Sequence, residues 1–316
     1  MTKERSKKSI TLYILLIPIV LVITLVVTIL YWPQNNMRGI TKITINHGES
    51  LSIISNKLFK TGVITNEKIF RLATKIMGLE KSIPVGSYQL KNVNVNRHII
   101  NRLIFGSPEI KRITFLEGWN IKKVSSHLSK EMGYDYNNLV DIINDKYFIQ
   151  SLELDSDNLE GYLFPETYYF FDGEKEHSVI KRLVKEYKKF WSNENIARAN
   201  SMNLTQHQIV TLASIIEGEA IYDSERPIIS AVYHNRLKKG MKLQADPTVQ
   251  YIIKDGPRRL LNKDLRIRSP YNTYLYQGLP PGPINSPGFQ SLNAALYPEE
   301  NDFLYFVAKG DGYHTF

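Results

Sequence analysis

Residues 10–32, opening on Ile10 and closing on Trp32, run for 23 positions without a charged side chain. As a helix rising 1.5 Å per residue, that length crosses a hydrocarbon core of about 30 Å. Lys3, Arg5, Lys7 and Lys8 precede it against the lone Glu4, whereas Pro33, Gln34, Asn35 and Asn36 follow with no basic residue before Arg38. Basic flanks stay on the cytoplasmic side, so residues 1–9 are expected to be a cytoplasmic tail and everything beyond residue 32 extracytoplasmic. Tyr31 and Trp32 suit the outer interface, and Pro18 is tolerable inside a lipid-facing helix. The rival reading is a cleaved signal peptide, which has a shorter apolar core and a small-residue cleavage site absent here. The expectation is a single-pass protein of the cell membrane (the inner one in a Gram-negative envelope) with its working part outside.

That topology disposes of one reading of the charge. The net charge is +9, spread without a block of five or six like residues. Scattered basic charge can serve lipid, nucleic acid or an anionic polymer, but a domain outside the membrane does not meet nucleic acid. At 43% apolar residues the extramembrane part can bury an ordinary core. With no cysteine, thiol nucleophiles, disulfides and thiolate metal sites are excluded. The seven histidines lack H-E-x-x-H spacing, and neither a G-x-S-x-G elbow nor a P-loop is present, so no metal or cofactor is indicated.

Residues 33–40 read as a short polar linker. A degenerate repeat follows: Lys42-Ile-Thr-Ile-Asn-His-Gly48-Glu-Ser-Leu51-Ser-Ile-Ile54-Ser-Asn-Lys-Leu58 aligns with Arg112-Ile-Thr-Phe-Leu-Glu-Gly118-Trp-Asn-Ile121-Lys-Lys-Val124-Ser-Ser-His-Leu128. Each copy reads as an alternating strand, a glycine turn and an amphipathic helix. They resemble LysM-like carbohydrate-binding units; packing units without a ligand are the alternative. The pattern also predicts a strand over residues 86–90, a helix over 96–105 ended by Gly106, and a helix over 178–202 with one basic face. The expected organisation is α+β throughout: a membrane-proximal module over residues 41–158 and a catalytic domain over 159–316.

The chemistry concentrates between Thr205 and Tyr251. Thr205-Gln-His-Gln208 is a capping box, and Ile209, Leu212, Ala213 and Ile216 form a core stripe. Glu217 follows at the edge of that stripe, then Gly218, Glu219 and Ala220. Apolar neighbours and the negative end of the helix dipole would keep the Glu217 carboxyl protonated, as a general acid for glycosidic cleavage needs. Glu217 and Glu219 point about 200° apart on a continuous helix, so they cannot flank one bond as a hydrolase pair. Asp223 or Ser224 reads as the cap of a second helix carrying Tyr233, His234, Asn235 and Arg236. Asp246 before Pro247 reads as the cap of a third. A rigid proline-rich loop, Gly278-Leu-Pro280-Pro281-Gly282-Pro283-Ile284-Asn285-Ser286-Pro287-Gly288, suits a groove wall, and Tyr251, Tyr271, Tyr274 and Tyr276 suit stacking on sugars.

Ala213-Ser-Ile-Ile-Glu217-Gly-Glu219-Ala, Leu243-Gln-Ala-Asp-Pro-Thr-Val-Gln-Tyr251, Tyr271-Asn-Thr-Tyr274 and Gly278-Leu-Pro-Pro-Gly-Pro-Ile284 resemble the endolytic murein transglycosylases, the YceG-like family. Glu160-Gly-Tyr-Leu-Phe-Pro-Glu166-Thr-Tyr168 and Phe303-Leu-Tyr-Phe-Val-Ala-Lys309 are similar to that family too. Its chains usually run on past the segment matching Tyr313-His-Thr-Phe316. The resemblance implies a lytic cut within peptidoglycan glycan strands that leaves 1,6-anhydro-muramyl ends, with Glu217 at the catalytic position. It implies Glu219, Gln244, Asp246, Thr248, Tyr251, Tyr271, Asn272 and Tyr274 as substrate-binding or orienting groups, and cell-wall synthases as partners. One glutamate suffices if the muramyl 6-hydroxyl replaces water: it protonates the leaving oxygen and then accepts the hydroxyl proton. A wall-binding or division scaffold without catalysis is the alternative from another class.

Overall fold

The computed structural model describes residues 2–34, 40–46, 48–91, 93–254, 256 and 258–316, with side chains from Leu16 onward. The expected linker residues 35–39 and His47 of the first repeat lie outside the described residues. The architecture is α+β and mostly helical, in two compact units. The first comprises residues 1–111 and 169–175, and the second 112–168 and 176–316.

In the first unit, α1 (Thr2–Leu30) carries a row of exposed aliphatic side chains that includes Ile19, Val20, Leu21, Val22 and Ile23. Among the described residues no helix is long and apolar enough to cross a membrane, and the side chains of residues 10–15 fall outside the description. The end of the helix and the two residues Pro33 and Gln34 are bound to the unit. Its last turn packs Ile29 and Leu30 on the core of the unit, and Pro33 bridges to Val95. Gln34 is buried, accepting the Thr65 N–H at 2.6 Å and donating to Asn96 Oδ1 at 2.7 Å.

Behind it, β1 (Thr41–Ile45) and β2 (Gly86–Leu90) pair antiparallel in the register Thr41 to Leu90 through Ile45 to Gly86. Between them run α2 (Leu51–Lys60) and α3 (Glu67–Ile76), and α4 (Asn96–Phe105) closes the unit. Ile43 and Ile45 alternate inward on β1 and meet Ile54 and Leu58 of α2, Phe70 of α3 and Leu103 of α4, all buried. Burying such side chains contributes about 1.5–3 kcal/mol each, which is what holds so small a sheet.

Both repeat copies fold as their pattern predicts. In the second, β3 (Ile110–Thr114) precedes α5 (Ile121–Met132), just as β1 precedes α2. Each turn glycine takes a left-handed φ, +81° at Gly48 and +72° at Gly118. Each helix is capped by a side chain two residues later, Ser50 or Asn120, accepting the third amide of the helix. The units nevertheless divide the chain at 111/112 rather than at 158/159, because the second copy's turn and helix pack within the second unit. β3 pairs with β4 (Thr167–Phe171), and the chain passes between the units along both strands.

The second unit continues through α6 (Tyr136–Asn144), α7 (Lys146–Ser151), α8 (Glu176–Phe190) and α9 (Asn193–Ser201). The single helix expected over 178–202 is broken at Ser192, whose side chain caps α9 by accepting the Asn195 N–H. Then come α10 (Gln206–Glu219), α11 (Arg226–Lys238), α12 (Asp246–Ile252), α13 (Phe289–Leu296) and a hairpin of β5 (Val307–Ala308) with β6 (His314–Thr315). The capping box forms as expected: Thr205 Oγ1 accepts the Gln208 N–H, and Gln208 Oε1 accepts the Thr205 N–H. Residues 209–216 of α10 are buried on every face, with α9, α11, α12 and α13 around them. α10 is therefore the central post of the unit, and its carboxyl-terminal turn is where the two glutamates emerge.

Candidate active site

The two glutamates leave α10 on different sides. Glu217 points at α11 and α13: Oε1 receives Arg226 Nη2 at 3.2 Å, and Oε2 receives the Gly288 N–H at 3.0 Å and Ser291 Oγ at 2.9 Å. Its side chain is 6% exposed and that of Arg226 is 5%. Arg226 is held in turn by Asp223 at 2.8 Å and also donates to Ser291. Three hydrogen-bond donors thus occupy the Glu217 carboxyl. Asp223, read as a helix cap, instead sits in a short 3-10 turn, and its carboxylate serves Arg226.

Glu219 opens on two hollows. One, of about 340 Å³, is lined by Gly118, Asn120 and Lys123 on one side and by Glu219, Asp246, Gln250 and Tyr251 on the other. The second, of about 220 Å³, is lined by Glu219, Arg236, Gln244, Asp246, Tyr274 and His314 among others. Glu219 and Asp246 are common to both. Tyr233 Oη donates to Glu219 Oε1 at 3.0 Å, and the Asp246 backbone also hydrogen-bonds the carboxyl. Burial, with the Asp246 charge adding to it, pushes the Glu219 carboxyl up to about 7 against the hydrogen bonds and Arg236.

Gly218, between the glutamates, lets α12 come close, since a Cβ there would stand 2.6 Å from Pro247. The helix cap expected at Asp246 is not formed. Ala245 is the cap residue, Asp246 is already helical, and its carboxylate accepts Tyr274 Oη at 2.5 Å. Gln244 reaches its place through a left-handed φ of +50°, with its N–H bonded to Thr273 O.

The remaining expected residues separate by burial. Thr248 is buried and bonds Ala245 O and Thr273 Oγ1, so it braces the α12 entry instead of facing a hollow. Asn272 is buried too: its amide donates to Leu265 O and Ile267 O and its oxygen accepts the Tyr274 N–H, which shapes the loop carrying Tyr274. Tyr251 lines the larger hollow, and Tyr271 packs against it with ring centroids 5.0 Å apart while lining a separate depression. Tyr276 is exposed.

The proline-rich loop forms the wall expected of it. The Ile284 N–H bonds Ser214 Oγ, Asn285 Nδ2 bonds Ser214 O, and the Ser286 and Gly118 amides exchange bonds with Trp119 O and Ser286 O. The turn of the second repeat is thereby stitched to the cleft, an arrangement that local sequence patterns do not announce. Tyr233, Arg236, Lys123, Gln250 and His314 are further lining or supporting residues that those patterns did not single out for this site. The crowding of polar groups at 233–236 is the visible signal for Tyr233 and Arg236. Arg236 reaches Leu304 O and Leu243 O, fixing the approaches to α12 and the closing hairpin. Among the described residues no group of three or more His, Asp or Glu is arranged to hold a metal ion.

The sequence pattern of the YceG-like family matches residues 43–316. The endolytic murein transglycosylase of Bacillus subtilis (strain 168) is 34% identical over 295 residues, covering 88% of this chain and 81% of that protein. The protein of the same name from Streptococcus pneumoniae serotype 2 is 27% identical over 305 residues, and there the chain spans 55% of the relative's length. The crystal structure of a YceG-like protein from Listeria monocytogenes superposes with a TM-score of 0.61 at 30% identity, over 88% of this chain and 96% of that one. By sequence pattern, relatives and fold, this chain belongs to the YceG-like family.

Proposed function

We propose that this chain is a lytic transglycosylase that cuts peptidoglycan strands internally, between muramyl and glucosaminyl residues, with Glu219 as its acid. The observation that carries the reading is the position of Glu219 and Asp246 on both hollows. A glycan lying across the two would place its scissile bond over the Glu219 carboxyl. A carboxyl raised to about 7 keeps about half its molecules protonated at neutral pH, ready to protonate the departing oxygen. The muramyl 6-hydroxyl then closes on the anomeric carbon, so no second carboxylate is needed to activate water. Glu217, closed in by Arg226, Ser291 and Gly288, supports the site from behind.

The relatives named endolytic murein transglycosylases support the substrate class. The exposed aliphatic row of α1 and the basic residues before it support membrane anchoring with the enzyme domain outside. The β1-α2-α3-β2 arrangement of the first unit supports a LysM-like hold on glycan near the membrane, where internal cuts would limit the length of new strands made by cell-wall synthases.

Mass spectrometry of isolated sacculi treated with the protein tests the reading. The expected products are internal fragments ending in anhydro-muramyl residues. Ordinary reducing ends alone would make it a hydrolase, and no products at all would favour a wall-binding scaffold.

A further inference from the structure

The smaller hollow holds a second ionisable group whose setting the single-acid scheme does not use. His314 lines it together with Glu219, Asp246, Arg236 and Tyr274. The imidazole Nδ1 lies 3.0 Å from Glu225 Oε2, and the backbone N–H of the same histidine donates to Glu225 Oε1 at 2.8 Å. The Glu225 side chain is buried and that of His314 nearly so, at 7% and 9% exposure. Glu225 sits in the 3-10 turn between the tip of α10 and α11, and His314 opens β6 after a turn containing Gly310 and Gly312, both at φ +90°. Phe306 holds the ring edge-on with centroids 5.1 Å apart, and the neighbouring Tyr313 stacks on Tyr222 at 4.0 Å. The ring is thus fixed in position and in orientation.

An ionised carboxylate can only accept, so the Nδ1 facing Glu225 carries the proton, and a neutral ring then has its lone pair on Nε2. This is the logic of a base oriented by a buried acid. A purely structural clip between the hairpin and the turn would not need to put the ring in the wall of the hollow that Glu219 shares.

We propose that His314, oriented by Glu225, is the base of the reaction and takes the proton of the muramyl 6-hydroxyl. The inference rests on the transglycosylase reading above. In the step, the O6–H bond breaks with its proton passing to His314 Nε2, and O6 forms a bond to C1. The bond from C1 to the glycosidic oxygen breaks, and that oxygen receives the proton of Glu219. The imidazolium then returns a proton to Glu219 through water, so the cycle closes without a co-reactant.

The test compares His314→Gln, Glu225→Gln and Glu219→Gln with the full wild-type chain on purified glycan strands, reading total cleavage and the ratio of anhydro to reducing ends. His314→Gln should lower turnover by about 10²-fold, and the residual product should shift towards reducing ends, because water then competes with an unassisted 6-hydroxyl. Glu225→Gln should shift the ratio the same way with a smaller loss. Free imidazole should restore part of the turnover of His314→Ala. A merely structural role would lower cleavage without moving the ratio and without imidazole rescue. Circular dichroism identifies any variant that does not fold, and Glu225→Gln, which keeps the shape of the pair, then decides. An unchanged ratio with turnover within threefold in Glu225→Gln or a folded His314→Gln would overturn the proposal. An active Glu219→Gln, or reducing ends alone from the wild type, would instead overturn the reading it rests on.

Discussion

Glu217 and Glu219 stand two residues apart on the last turn of α10, and their carboxyls face different partners, Arg226 and Ser291 for one, Tyr233 for the other. The first is closed in and the second opens on both hollows. Exchanging each for glutamine separates the roles. Glu219→Gln should lower cleavage by about 10²–10⁴-fold with little change in folding. Glu217→Gln should destabilise the second unit by roughly 3 kcal/mol, since it leaves a buried guanidinium facing an amide. Its activity per folded molecule should stay within about tenfold of wild type. Thermal melts and strand-cleavage rates on the two variants check this. The reverse pattern would return the acid role to Glu217.

The Glu219 carboxyl acts as an acid only while protonated. With its pKa at about 7, cleavage should fall as the pH rises through that value. Asp246 is one cause of the raised value, because a second negative charge disfavours ionisation of the first. Asp246→Asn should therefore move the alkaline limb of the rate profile to lower pH. Rates measured between pH 5 and 9 on both proteins decide the point, and a limb that stays in place in the variant removes Asp246 from the account.

The sequence carried local signals well and long-range partners poorly. The Thr205 capping box, the glycine turns at Gly48 and Gly118, and the limits of β2 and α4 were legible because neighbours in the chain set them. The opposed directions of Glu217 and Glu219 were legible too, from helix geometry alone. Which of the two lines the hollows was not, because the partner Ser291 of Glu217 lies 74 residues away and the partner Tyr233 of Glu219 lies 14 away. The same holds for Asp246. Its place before a proline suggested a cap, but Tyr274, 28 residues on, takes the carboxylate. A unit boundary set by the packing of the second repeat likewise leaves no mark on local composition.

Glu160 offers a measurement of stability independent of catalysis. It is buried, Oε1 accepts the Ile121 N–H at 3.0 Å, and burial pushes its carboxyl up to about 8. A carboxyl raised in the folded state contributes stability fully below its ordinary value of 4.5 and loses that contribution as the pH climbs through 8. The melting temperature of the wild type should therefore decline across that window, with Glu219 adding to the slope up to about 7. Glu160→Gln keeps the bond to Ile121 and should flatten the decline. An equal slope in the variant would assign it to other groups.

Membrane placement rests on residues 1–32. A reporter active only outside the cytoplasm, fused after Phe316, should be active, and protease added to spheroplasts should remove the chain beyond residue 32. Cytoplasmic reporter activity would sink the assignment and with it access to the wall.

Gln34 tests how the amino-terminal helix is joined to the core of its unit. A flexible linker would tolerate any polar residue there, yet this amide is buried and answers the Thr65 N–H and the buried Asn96 Oδ1. Asn96 in turn donates to Ile29 O, one of the last carbonyls of α1, and Arg97 donates to Tyr31 Oη at 2.9 Å. Gln34→Ala would leave the Thr65 amide and the Asn96 oxygen without these partners, at a cost of about 1–3 kcal/mol. The loss should fall on the first unit, so hydrogen exchange should quicken in α3 and α4 while α10 to α13 keep their protection. The variant should cleave soluble glycan at the wild-type rate. Unchanged exchange in α3 and α4 would mean that the residues after α1 do act as a free tether.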